Sequence, residues 1–376
     1  MQKEFFGYNS IENLVEILKN YKKIFLVTGK KSYILSGAEK KINSYLTDKN
    51  VAVFNEFSPN PNLSELKKAM IFYKKIDPDI VIAIGGGSVI DMGKMVNLLA
   101  HNNGEPLDYI KKIKKPDIPG KTLIAIPTTS GTGSESTHFA TIYVDKKKYS
   151  IADRKFMLPS ISIIDPFFTE SLPKKITAST GLDAICQGIE SLWAVNSTEQ
   201  SRKFAKESVE IGLKTIEKVV NNPDKKSRLD MAKVAHLSGK AINISKTTAC
   251  HSISYPITSY FNIPHGHAVA LTLGQFIEFN DNVTKINCND KRGVKFVKDR
   301  LSEIVNLMGC NNATDAKSLF QKLMEKIGIE HRLKKLNIDN KGRKLIIDNG
   351  YTADRMNNNP RLVTKEDIKN ILNEIK

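Results

Sequence analysis

Through residue 166 the chain alternates short apolar, β-branched runs with amphipathic stretches. The runs 24–29 (IFLVTG), 51–57 (VAVFNEF), 80–87 (IVIAIGGG), 122–129 (TLIAIPTT) and 160–166 (SISIIDP) are punctuated by Gly, Pro or Asp. Segments such as 62–75 (NLSELKKAMIFYKK) carry helical spacing between them. Strand and helix in alternation predict a mostly parallel sheet with helices on its faces, and ligands in such sheets bind beyond the carboxyl ends of the strands. From about residue 167 the strand signal stops. Helical segments are expected near 176–194, 198–221, 227–244, 246–260, 265–281, 291–308, 312–328 and 364–376, with Pro256 and Pro264 interrupting or separating them. The predicted fold is an α/β N-terminal domain (1–166) followed by an all-α C-terminal domain (167–376), with a cleft between them. At 376 residues two domains are the natural division.

Composition narrows the class. Forty per cent hydrophobic and 26 per cent charged residues are ordinary for a globular chain. No apolar run approaches the ~18 residues a membrane span needs, and the start (MQKEFFGYNS) lacks the apolar stretch of a signal peptide. Cys186, Cys250, Cys288 and Cys310 show no CxxC pairing, which fits reduced thiols and a cytoplasmic location. The net charge of +17 raises nucleic-acid binding as an alternative. The lysines, however, are spread along the chain among Asn and Glu, so neither a nucleic-acid nor a membrane partner is expected.

Two hydroxyl- and glycine-rich turns carry candidate chemistry. In 84–94 (IGGGSVIDMGK), Gly85, Gly86, Gly87 and Ser88 follow a strand and precede a helix. Without Cβ atoms the backbone N–H groups can approach a phosphate at the positive helix end. In 127–135 (PTTSGTGSE), Thr128, Thr129, Ser130 and Thr132 follow the next strand. Each alone could be a bare strand-to-helix turn. Together they point to one long diphosphate-containing ligand, although neither is a Walker loop and GxGxxG is absent.

A second constellation suits a metal. Asp183 and Gln187 lie four apart on one helix face. His251, His265 and His267, three of only seven histidines, fall within 251–267. Carboxylate and imidazole together suit Fe²⁺ or Zn²⁺, whereas singly each histidine could be a core or loop residue.

Over nearly its whole length the chain resembles the iron-containing, or group III, alcohol dehydrogenases, through GGGSVIDMGK, PTTSGTGSE, GLDA and the histidines fourteen apart, His251 and His265. The resemblance implies a dinucleotide-binding domain joined to a helical metal domain, a fold shared with dehydroquinate synthase, whose cyclase activity PTTSGTGSE argues against. It implies that Gly85, Gly86, Gly87 and Ser88 hold the pyrophosphate of NADPH or NADH. Thr128, Thr129 and Lys148 would also touch the cofactor, with Asp91, Ser130 and Thr132 as further candidates. Asp183, His251 and His265 fall on metal-ligand positions, and a homo-oligomer, a dimer or larger, is implied.

Three departures from the family pattern matter. Gln187 stands where a histidine ligand is usual, so three protein groups and water would hold the ion, or hold it weakly. Tyr255 stands where many members have a proton-passing histidine; Tyr255 or the nearby His267 would supply the proton. Narrower wording, 134–143, 181–194, 247–271 and 357–361 (NNNPR), resembles the phosphonoacetaldehyde reductase branch. The expected reaction is therefore metal-dependent reduction of a small aldehyde, with phosphonoacetaldehyde going to 2-hydroxyethylphosphonate. The alternative is a general short-chain alcohol, diol or butanol dehydrogenase. An anionic substrate would need a cation, for which His138, Arg154, Lys246 and Arg361, along with Lys148, are candidates.

The third departure concerns the end of the first strand, where NAD-preferring members tend to carry Asp. Here Gly29 is followed by Lys30 and Lys31. Without a carboxylate to repel it, a 2′-phosphate would be attracted by the lysines, so kcat/KM for NADPH is expected to exceed that for NADH. Steady-state kinetics with both cofactors checks this, and a clear NADH preference sinks it.

Overall fold

The computed structural model describes residues 2–145 and 147–376. The chain divides into two compact units, Met1–Leu172 and Pro173–Lys376.

The first unit is built on six parallel strands: β1 (Lys3–Phe6), β2 (Lys23–Thr28), β3 (Asn50–Phe54), β4 (Ile80–Gly85), β5 (Thr122–Pro127) and β8 (Ile161–Ile164), in the order β1-β8-β5-β4-β2-β3. Ile80, Ile82 and Ile84 of β4 enter the apolar cluster on one face, and Val81 and Ala83 enter the cluster on the other. The runs read as continuously apolar because the sheet is covered on both sides. Helices α1 (Leu63–Ile76) and α2 (Gly87–Leu99) contribute Leu66, Met70, Ile90 and Met95 to one of these layers. Asn62 and Glu65 close a capping box that fixes the start of α1.

β3 and β5 lie on the outer sides of the adjacent strands β2 and β4, so the connections leaving β2 (to β3) and β4 (to β5) run to opposite sides. The carboxyl ends of β2 and β4, with Thr28 level with Ile84, therefore form the switch point of the sheet, where ligands of such folds bind. Gly29–Lys31 follow β2 there and Gly85–Gly87 follow β4.

Two features escape the sequence pattern. β1 (KEFF) is a four-residue edge strand beside β8. β6 (Phe139–Val144) and β7 (Lys147–Ala152) form a separate antiparallel hairpin after the second hydroxyl-rich turn.

Among the described residues the second unit has no strand. Its helices of ten residues or more are α3 (Lys174–Trp193), α4 (Glu199–Asn221), α5 (Lys225–Ser245), α6 (Ala249–Phe261), α7 (His265–Asp281), α8 (Val294–Leu307), α9 (Ala313–Lys326), α10 (Asn340–Asn349) and α11 (Lys365–Glu374). α3 is buried nearly end to end from Thr177 to Trp193, packed by α4, α5 and α7. Pro264 separates α6 from α7 as expected, but Pro256 lies inside α6, which continues through it. α10 (NKGRKLIIDN) gave no sequence signal because it buries only Gly342 and Ile346. No helix among the described residues is long and apolar enough to cross a membrane.

Candidate functional site

Three helices of the second unit bring one acid and two imidazoles together. Asp183 comes from the middle of α3, His251 from the first turn of α6 and His265 from the first residue of α7. One ligand atom from each lies within 4.8 Å of the others. Asp183 Oδ1 is 3.5 Å from His251 Nε2, and the two imidazole rings meet at 5.4 Å in an edge-on arrangement.

The cluster is fixed by a carboxylate that belongs to no ligand motif of the sequence. Glu190 lies seven residues beyond Asp183, on the same face of α3, and is 0 % exposed. Its Oε1 accepts from Thr248 N (3.1 Å), Thr248 Oγ1 (2.7 Å), Cys250 N (3.1 Å) and His251 N (3.4 Å). These N–H groups open α6 and would otherwise be orphaned, so α3 caps α6 with a side chain. Trp193 Nε1, also on α3, donates to the same Thr248 hydroxyl at 3.0 Å. The other oxygen, Oε2, takes the Nδ1 hydrogen of His251 in a short contact. That fixes the tautomer and turns the Nε2 lone pair towards Asp183, the arrangement of a carboxylate–histidine–metal triad.

The electrostatics agree. Burial would raise the Glu190 carboxyl, but His251 and the Thr248 and backbone donors outweigh it and hold the group low. Burial likewise opposes charge on His251, yet Glu190 and Asp183 lift it to about 9. The field at this point favours a cation. His251 Nε2 is buried and receives no hydrogen bond. An orphaned imidazole nitrogen beside a carboxylate and a second imidazole is a donor set that fits a divalent transition metal.

His265 depends on a close approach of main chains. A Cβ built on Gly266 would collide with the Ser179 carbonyl oxygen and come within 2.7 Å of Asp183 Cβ and 2.9 Å of Asp183 N. Glycine is therefore what lets the start of α7 lie against α3. Ser254 Oγ reaches His265 Nδ1 at 3.4 Å, and the Tyr255 ring stacks on His265 at 6.2 Å. Tyr255 Oη accepts from Arg355 Nε at 3.3 Å.

The remaining expected residues of this unit have partners of their own. The Gln187 side-chain oxygen, one turn after Asp183, accepts from Ser238 Oγ at 3.1 Å. His267 Nε2 is spent on the Glu330 carbonyl at 2.6 Å, and burial lowers its pKa. Arg361 stacks on Phe279 at 3.9 Å and donates to the Phe279 carbonyl at 2.6 Å. Phe279 is fourteen residues along α7 from His265, roughly 21 Å at helical rise, so Arg361 is not brought to the cluster. Lys246 is exposed at the C-terminal end of α5.

In the first unit the two hydroxyl-rich turns come together. Thr128 N donates to the Gly85 carbonyl at 3.0 Å, joining the ends of β5 and β4. Cβ atoms on Gly85 or Gly87 would strike Val89 (2.5 Å) or Thr132 (2.7 Å), whereas one on Gly86 would make only ordinary contact with Thr129 at 3.5 Å. Packing thus explains Gly85 and Gly87 and leaves Gly86 bare beside the first turn of α2. The Ser88 hydroxyl is bonded to the Pro59 carbonyl. Asp91 has both oxygens occupied, by Ser134 Oγ (2.5 Å) and Thr141 N (2.8 Å). Lys94, 1 % exposed, donates to Ser134 Oγ, Thr137 Oγ1 and the Phe139 carbonyl at 2.9–3.0 Å. Burial brings its pKa down to about 8. Asp91 and Lys94 tie the second turn to α2, so Asp91 is placed to position that turn. Ser130 is buried within it. His138 is buried beside Phe139, Lys148 lies on β7, and Arg154, Lys30 and Lys31 are exposed.

Residues 2–166 match the family model described as iron-containing alcohol dehydrogenase, and residues 177–376 match that described as Fe-containing alcohol dehydrogenase family, C-terminal. The chain is 30 % identical over 310 residues to the phosphonoacetaldehyde reductase of Streptomyces viridochromogenes, covering 80 % of this chain and 77 % of the relative. It is 31 % identical over 286 residues to the NADPH-dependent butanol dehydrogenase of Clostridium saccharobutylicum, covering 74 % and 73 %. Among solved structures it is similar to the sulfoacetaldehyde reductase from Bifidobacterium kashiwanohense in complex with NAD⁺, with a TM-score of 0.87, 27 % identity and coverage of 100 % and 96 %.

Two substitutions test the geometry. Gly266→Ala is expected to destabilise by about 1–3 kcal/mol, the usual cost of overpacking, and to lower the metal content per chain. Thermal unfolding and elemental analysis read both, and wild-type metal content in this variant would show that the close approach is not what sets His265. Glu190→Gln keeps the shape and removes the charge. Competition with a chelator should show metal affinity weakened roughly 10- to 100-fold, as for other partners of ligating histidines; unchanged affinity contradicts the role given to Glu190.

Proposed function

The chain belongs to the iron-containing alcohol dehydrogenase family, and from that premise we propose that it reduces a small aldehyde to a primary alcohol with a hydride from NADPH. The substrate favoured is phosphonoacetaldehyde, and the product 2-hydroxyethylphosphonate. The observation that carries the chemistry is the buried Asp183, His251 and His265 cluster with its orphaned Nε2. These three residues would hold Fe²⁺ or Zn²⁺, and a bound ion supplies Lewis acidity to the carbonyl oxygen.

The residues share the remaining work. In the first unit the pyrophosphate lies against the N-terminal turn of α2, where Gly86 leaves the backbone bare and the helix end is positive. Thr128, Thr129, Ser130 and Thr132 offer hydroxyls from the adjoining turn, which Asp91 and Lys94 brace. Lys30 and Lys31 at the end of β2 attract the 2′-phosphate. Hydride addition to the carbonyl carbon leaves an electron pair on oxygen, which must take a proton. Tyr255, stacked on His265, is the candidate donor. Its Oη accepts from Arg355, so its own hydrogen is directed away from that arginine. His267 is a weaker candidate, because Nε2 is committed to the Glu330 carbonyl.

The phosphonate part of this reading rests on the likeness to the Streptomyces phosphonoacetaldehyde reductase and on the narrower sequence phrases. The similar identity to a butanol dehydrogenase favours a second reading, a general short-chain alcohol dehydrogenase. A cytoplasmic homodimer is part of both. An NADPH-consumption screen of metal-loaded protein separates them. Phosphonoacetaldehyde is expected to exceed butyraldehyde in kcat/KM by more than about tenfold, the ratio that 1.4 kcal/mol of anion recognition would give. Equal or better turnover of butyraldehyde overturns the phosphonate reading and leaves the general one.

A further inference from the structure

An anionic aldehyde needs a cation near the metal cluster, and of the candidates raised from sequence in the second unit, Arg361 is at the far end of α7 and Lys246 is an exposed helix end. The structure supplies another. Arg355 lies in a short helix, Ala353–Met356, just before the NNNPR segment. Its Nε donates to Tyr255 Oη at 3.3 Å, and Tyr255 stacks on the metal-cluster imidazole of His265 at 6.2 Å. One aromatic ring thus separates the guanidinium from a ligand position.

Among the described residues Arg355 hydrogen-bonds through Nε, and the negative charges of Glu190 and Asp354 also act on its guanidinium. Among the described residues no hydrogen bond or ion pair ends on Nη1 or Nη2, whereas the guanidiniums of Arg292 and Arg361 use theirs on carbonyl or carboxylate oxygens of the same unit. A guanidinium is permanently charged, is less strongly hydrated than an ammonium, and presents two parallel N–H donors whose spacing matches two oxygens of a phosphonate or sulfonate. An arginine anchored by Nε, with its fork open beside a tyrosine of the reactive cluster, is arranged to receive a tetrahedral oxyanion.

We infer that Arg355 is the specificity-determining residue of the site, gripping the phosphonate or sulfonate of a two-carbon aldehyde while the carbonyl end lies at the Asp183, His251 and His265 cluster. This rests on the proposed aldehyde reductase activity and names the substrate class of that same site. Lysine and glutamine at this position separate its parts: lysine keeps the charge without the fork, and glutamine keeps neither.

The experiment compares wild type, Arg355→Gln and Arg355→Lys, metal-loaded, with phosphonoacetaldehyde, sulfoacetaldehyde and uncharged propanal, and adds methylphosphonate as a dead-end inhibitor. In wild type at least one anionic aldehyde is preferred over propanal, and methylphosphonate competes with it. In Arg355→Gln the ratio of kcat/KM, anionic over uncharged, is expected to fall roughly 10- to 100-fold, the range for lost hydrogen bonds to a charged group. The fall should lie mainly in KM, with methylphosphonate inhibition weakened in parallel and both partly restored in Arg355→Lys. Comparison of the two anions identifies which head group the fork fits. If Arg355→Gln does not fold, a smaller fall in Arg355→Lys carries the same information. A loss shared equally by charged and uncharged aldehydes overturns the assignment, because it marks Arg355 as only a support for Tyr255. A preference retained in both variants overturns it too, and leaves the phosphonate reading standing. Wild type without any preference for an anion brings down the substrate reading itself.

Discussion

The helical unit depends on one buried carboxylate. Glu190 ends the N-terminal turn of α6 with Oε1 and orients His251 with Oε2. A buried carboxylate is costly unless it is fully hydrogen-bonded and faces positive charge, and here the Thr248 and backbone donors and the imidazole meet that condition. Folding and site formation are consequently the same event at this point. The bonds that start α6 also turn the Nε2 lone pair of its first-turn histidine towards Asp183. α3 contributes Asp183 and Glu190 from a single face, so rotation of this one helix would disturb both a member of the candidate cluster and the support of another.

The α/β unit solves a related problem with a lysine. Lys94 is enclosed by Ser134, Thr137 and the Phe139 carbonyl, while Asp91 takes Ser134 and Thr141. The turn after β5 has no regular ladder of its own and is held against α2 by these side chains. Both turns therefore present their backbone at the carboxyl ends of the adjacent strands β4 and β5, the first of them at the switch point beside β2. In each unit a buried ionic group fixes an irregular segment, leaving neighbouring polar groups for chemistry.

The fold and the candidate metal cluster were largely legible because they rest on local signals. Unbroken apolar runs mark strands buried on both faces, and GGG after such a run marks the turn at the end of β4. Asp183, His251 and His265 stand out as an acid and scarce histidines at fixed spacing. What escaped depends on partners distant in sequence. Glu190 acts on Thr248, fifty-eight residues on, and reads locally as a lone charge in GIESLW; only its place on the Asp183 face hinted at more. Arg355 meets Tyr255 one hundred residues away, in a segment whose weak periodicity also hid α10. Asp91, a candidate cofactor contact, bonds Ser134 of the second turn and Thr141 of β6, a hairpin whose strands carry no clear sequence signal. Pro256 shows the opposite error, a local breaker signal overridden by the packing of α6.

The meeting of Gly266 with the Ser179 carbonyl has a bearing on how this site can change over generations. Where a ligand's place is set by side chains, compensating swaps in the surrounding apolar layer can drift it gradually. Here the spacing is set by peptide against peptide, which no neighbouring swap can relax. Change at this site is thereby steered towards side chains that meet the imidazoles by their surfaces alone, as Tyr255 meets His265, while the seam between the two helices stays frozen.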